Sequence, residues 1–147
     1  MKVIGVIGYS DNKCKTELAR GLVEIGILEA AKALGCTHLT ELHQYAICSG
    51  LTNLGIPALA YEWAKAHSLF TIGIACSRAV EHSCYPVDET LFVGDNWGDE
   101  SGEFLARVDA LVQVGGGDQS FAEAKAFKAL FPGKPLVYFP LNRDGTA

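Results

Sequence analysis

The residues best suited to chemistry sit between Asp109 and Glu123, DALVQVGGGDQSFAE. Gly115, Gly116 and Gly117 follow an apolar run, Ala110 to Val114, and precede Asp118, Gln119 and Ser120. Glycines let a backbone turn tightly and bring its N–H groups close to a ligand. The apolar-periodic run from Phe121 then reads as a helix, whose first turn carries unpaired N–H groups and the positive end of its dipole. Such a junction suits an anion, and a phosphate is the usual one. Glu123 adds a carboxylate that could serve as an acid, a base or a charge stabiliser. The same Ser120 and Glu123 also fit an S-x-x-E capping box, which needs no ligand. That cap is expected to form whether or not a ligand binds.

Three other loops carry compatible groups. Gly8 and Ser10 follow the first apolar run, and Ser49 and Gly50 follow the second. Gly94 to Gly102 holds Asp95, Asn96, Trp97, Asp99 and Glu100, with Glu103 just beyond, an acidic rim that either holds ribose hydroxyls or is simply solvated. Trp97 suits stacking on a base or capping the core. Arg78 is the best-placed cation for a phosphate oxygen, a surface arginine being the alternative. Cys76 with His82 and Cys84 is too sparse a pattern for a metal, and nothing calls for a resident cofactor.

The elements that must position these groups alternate. Lys2 to Ile7, Tyr45 to Cys48, Leu69 to Ala75, Thr90 to Val93, Ala110 to Val114 and Pro135 to Phe139 read as strands. Thr16 to Leu34, Ile56 to His67, Glu103 to Arg107 and the run beyond Ser120 read as helices by their near-3.6 periodicity. Thr37 to Gln44 is ambiguous, and Asn142 to Ala147 is expected to be a tail disordered at its end. Nearly continuous apolar strands alternating with helices imply an α/β fold, doubly wound, with a mainly parallel sheet covered on both faces. Ligands in such folds bind outside the carboxyl ends of the strands. The four loops are therefore expected on one rim, within a single domain spanning residues 1–147.

Composition narrows the partners. The chain has 147 residues, 49% of them hydrophobic and 20% charged, and a net charge of −5. That is ordinary for one globular domain, and without a basic stripe it argues against nucleic acid. No run approaches the ~18 apolar residues of a membrane span, so no membrane is expected. The five cysteines leave an odd one and contain no C-x-x-C, which points to reduced thiols and a cytoplasmic setting.

The order of loops resembles the SLOG superfamily of Rossmann-like proteins, which includes LONELY GUY-type and lysine-decarboxylase-like members. Gly8-Tyr9-Ser10 resembles its first glycine–serine turn, and Ser49-Gly50 with Leu54-Gly55-Ile56 its second. Ile72-Gly73-Ile74 resembles the strand that follows, and Asp109-Ala110 … Gly115-Gly116-Gly117 … Glu123 resembles its P-G-G-x-G-T-x-x-E signature. The resemblance implies a nucleotide-binding domain, a homodimer, and hydrolysis of a nucleoside 5′-monophosphate at its N-glycosidic bond. Val114 stands where the signature has Pro, and the Arg-Lys pair of the LONELY GUY enzymes has no counterpart in Gly98-Asp99-Glu100-Ser101-Gly102. Two functions stay in play. One is hydrolysis or transfer at an N-glycosidic bond with Glu123 catalytic; the other is a carrier or sensor that binds a phosphorylated small molecule without chemistry.

Overall fold

The Val- and Ile-rich run that opens the chain forms β1 (Lys2–Gly8), which lies inside the sheet. The computed structural model describes residues 1–147. After β1 come α1 (Glu17–Ala33), β2 (Tyr45–Ser49), α2 (Gly55–Ala66), β3 (Phe70–Ala75) and β4 (Glu89–Phe92). Then follow α3 (Ser101–Arg107), β5 (Ala110–Val114), α4 (Asp118–Leu130) and β6 (Leu136–Phe139). Every pairing is parallel, and the order across the sheet is β4-β3-β2-β1-β5-β6. The chain steps outward from β1 to β4, then returns to the far side of β1 for β5 and β6. Strand order therefore reverses between β1 and β5, the position where open α/β sheets leave a crevice.

The pleat sends alternate side chains to opposite faces, so each central strand feeds two cores. Ile4, Val6, Ile47, Val112 and Val114 pack with Val23 and Ile27 of α1 and Leu59 and Ala60 of α2. Val3, Ile7, Cys48, Ile72, Ile74 and Leu111 pack instead with Phe104 and Leu105 of α3 and Phe127 of α4. Full burial of one such aliphatic side chain contributes about 1.5–3 kcal/mol. This is the doubly wound, Rossmann-like α/β architecture the sequence predicts, and its sheet is parallel throughout.

The junction of β1, β5 and α2 is close-packed where the site begins. Gly8 pairs in register with Val114. A Cβ added at Gly8 would lie 2.5 Å from the Val114 carbonyl oxygen and 2.6 Å from Ile56 at the start of α2. Only glycine lets the helix come that near the strand end. Thr37 to Gln44 resolves into a 3₁₀ turn over Leu39–Gln44.

The C-terminal segment departs from expectation, because it is tied down. Leu141 is buried in the main core, and the Asn142 N–H donates to the Thr146 carbonyl at 2.8 Å. The Thr16 hydroxyl accepts from the Ala19 N–H at 3.2 Å and donates to the Gly145 carbonyl at 2.7 Å. One side chain thus caps α1 and anchors the tail. A polar composition, which suggested fraying, does not reveal such a long-range anchor.

Candidate functional site

Loops leaving the carboxyl ends of β1, β2 and β5, with residues from the segments after β3 and β4, enclose a cleft of about 460 Å³. Its apolar floor includes Ile7, Ile74 and Phe104. Of the residues singled out from sequence, Gly8, Ser10, Ser49, Gly50, Gly117, Gln119, Ser120 and Glu123 line it. Gly115 and Gly116 do not line the cleft but make the turn behind it, with φ of +60° and +109°. Both values fall where side chains are strained and glycine is free. The Ser49 hydroxyl is committed to the Val6 carbonyl at 2.7 Å, which fixes β2 against β1.

The Ser120–Glu123 capping box does not form. The N-cap of α4 is Gly117, in extended conformation, so the helix begins three residues earlier than that motif requires. Ser120 becomes the third residue of the helix and is 6% exposed, lining the cleft, with no hydrogen-bond partner for its hydroxyl in the protein. Glu123 turns instead to α3, where its Oε2 accepts from the Ser101 hydroxyl at 2.8 Å. The N–H groups of Asp118, Gln119 and Ser120, in the first turn, have no acceptor within the helix.

Burial raises the pKa of Glu123, and the charge of Glu100 raises it further, while the Ser101 hydroxyl and Gln119 amide pull it back. Glu100 is itself buried, lines the cleft, and accepts the Gly98 N–H at 3.0 Å. Asp99 and Asp95 are taken up in structural hydrogen bonds. Asp99 accepts from the N–H groups of Asp95 and Asn96, and Asp95 accepts from the Ser77 hydroxyl at 2.9 Å. Trp97 does not cap the core; it is 50% exposed, its ring centroid 5.7 Å from that of His82, and both line the cleft.

The cation near the glycine turn is not the one anticipated. Arg78 lies outside the cleft lining, with its Nε donating to the Asp95 carbonyl at 2.9 Å. Arg143, on the anchored tail, lines the cleft and lies over the Tyr9 ring at 4.7 Å. No local motif marks Arg143. Its place follows from Leu141 being buried in the main core and from the Gly145 carbonyl being held by Thr16, 129 residues earlier.

Chemically the cleft combines two kinds of group. The α4 N-terminus, Ser120 and Arg143 suit an anion. The carboxyls of Glu100, Asp118 and Glu123, which line the same cleft, suit hydrogen-bond donors or proton transfer. His82 and Trp97 add two neighbouring aromatic rings to the lining.

No protein-family model matches this sequence, and no curated protein matches it. Solved structures do. The molybdenum cofactor carrier protein of Chlamydomonas reinhardtii is 24% identical, with a TM-score of 0.68 over 99% of this chain and 78% of the algal one. The molybdenum cofactor binding protein of the phototrophic bacterium Rippkaea orientalis is 22% identical, with a TM-score of 0.69 over 96% and 77%. The structural-genomics protein TM1055 is 24% identical, with a TM-score of 0.66 over 92% and 72%. At these identities the likeness establishes a shared fold.

Proposed function

We propose that this chain binds a phosphorylated small organic molecule in the cleft and acts as a carrier or sensor of that molecule, without chemistry. The observation that carries the reading is the pairing of the glycine turn and open helix N-terminus with a cleft of about 460 Å³ at the strand-order reversal. Molybdenum cofactor carriers of the same fold make that cofactor a first ligand to test. The segment before α3 has no Arg-Lys pair, which favours carriage over hydrolysis. One observation favours the second reading, N-glycosidic hydrolysis or transfer. Glu123 is a cleft carboxyl with a raised pKa, as a general acid requires.

On this proposal residues 1–147 act as one binding domain. Cys14, Cys48 and Cys76, free and buried, suit a cytoplasmic setting. A homodimer is part of the same proposal, supported by the exposed Leu18 and Ile25 of α1 and the exposed Leu39 of the following 3₁₀ turn. A monomer mass by light scattering at tens of micromolar would remove that part alone.

The test is a thermal-shift screen across the molybdenum cofactor, nucleoside monophosphates and nucleotide sugars. A ligand present at about 100 times its Kd adds roughly 2.7 kcal/mol of stability. For a chain of this length that raises Tm by roughly 5–10 °C. A panel in which no phosphorylated compound raises Tm contradicts the proposal.

A further inference from the structure

We infer that Arg143, carried on the anchored C-terminal loop, is the residue that clamps the anionic group of the ligand against the Gly117–Ser120 turn. This deepens the proposed function and rests on it. The other arginines are engaged. Arg20 is hydrogen-bonded to Glu62 at 2.9 Å, Arg78 to the Asp95 carbonyl at 2.9 Å, and Arg107 is paired with Glu89 at 2.8 Å. Arg143 has no hydrogen bond. The carboxylate it pairs with, Asp11, is 3.9 Å away, beyond hydrogen-bonding reach. A guanidinium presents five N–H donors in a rigid fork matched to phosphate oxygens. Here none of them is hydrogen-bonded.

Position supports the assignment. The Arg143 Nη2 lies 3.8 Å from where a Cβ on Gly117 would stand, so the guanidinium borders the turn that starts α4. No lysine lines the cleft, which leaves Arg143 as its permanent cation. Ser120 is a second, independent sign of a ligand, since it is nearly fully buried, lines the same cleft and has no partner for its hydroxyl. The arginine is also held in readiness. The guanidinium lies over the Tyr9 ring at 4.7 Å, and the loop behind it is fixed by Leu141 and by the Thr16–Gly145 hydrogen bond. Less freedom is then lost when a ligand binds.

The experiment is an NMR titration of the full chain with inorganic phosphate at constant ionic strength, following the amides of Gly116 to Ser120. Wild type is expected to show saturable shifts at these amides. Arg143→Gln is expected to bind phosphate at least about tenfold more weakly, the scale of a lost charge-assisted hydrogen bond. Arg143→Lys, which keeps the charge but not the fork, falls between the two and serves should the Gln variant fold poorly. Arg20→Gln makes the same change in net charge away from the cleft and leaves the affinity unchanged. Unaltered affinity in Arg143→Gln, or an equal loss in Arg20→Gln, overturns the assignment of the clamp while leaving the anion site standing. No titration in wild type overturns the anion site itself, and the clamp with it.

Discussion

Replacing Gly116 by alanine tests whether the turn has the geometry on which the site depends. Its φ of +109° is one that side chains rarely adopt, and strain of that kind costs about 1–3 kcal/mol. The new Cβ would also meet the Ser120 Cβ at 2.5 Å and its Oγ at 2.6 Å. Ordinary carbon contacts lie near 3.5–4.0 Å, so turn and helix must part by about 1 Å. Overpacking of that order costs about 1–3 kcal/mol. The expected loss is therefore about 2–6 kcal/mol, against a total stability of about 5–15 kcal/mol for ordinary domains. Urea denaturation followed by far-UV circular dichroism reads it, with the m-value checked for constancy. Gly50→Ala is the control within the same cleft, because a Cβ there meets nothing within 4 Å. Its stability should stay within about 0.5 kcal/mol of wild type. An unperturbed Gly116→Ala, or a Gly50→Ala equally destabilised, would refute the reasoning.

Three further substitutions separate the roles of neighbouring groups. Glu123→Gln tests the raised carboxyl pKa. Protonated Glu123 contributes stability below its ordinary 4.5, lost as pH rises through the higher folded value. The variant should match wild type in urea at pH 4 and exceed it at pH 8; a variant less stable at both would contradict this. Ser120→Ala removes no cap, since Gly117 holds that position. Its stability in urea should change by less than about 0.5 kcal/mol, whereas a loss above about 1 kcal/mol would restore the capping role. Thr16→Ala removes both the α1 cap and the tail anchor. It should cost about 1–3 kcal/mol in the same assay and weaken phosphate binding by loosening Arg143; unaltered phosphate affinity would show that the anchor does not position the clamp.

What could be read from sequence was what local pattern controls. The six strands and their loops are legible because Val- and Ile-rich runs end in glycine and serine, and the crevice follows from parallel topology. Sequence misplaces the start of α4 because Ser120 and Glu123 match a capping box, while Gly117 opens the helix earlier. Arg78 drew attention by following a strand, yet the Asp95 carbonyl holds it away from the cleft. Arg143 was illegible for the opposite reason. Nothing in Asn142 to Ala147 says that Thr16 holds Gly145, and that contact exists only once the sheet has brought β6 beside β5.

The central claim is that the cleft holds a phosphorylated ligand and returns it unchanged. It is tested most directly by native mass spectrometry of the full chain with the molybdenum cofactor and the nucleoside monophosphates, followed by chromatography of the released ligand. The account expects at least one phosphorylated compound bound one per chain and recovered intact, with its dephosphorylated counterpart bound far more weakly. Absence of any such complex, or accumulation of free base and ribose 5-phosphate, would contradict it.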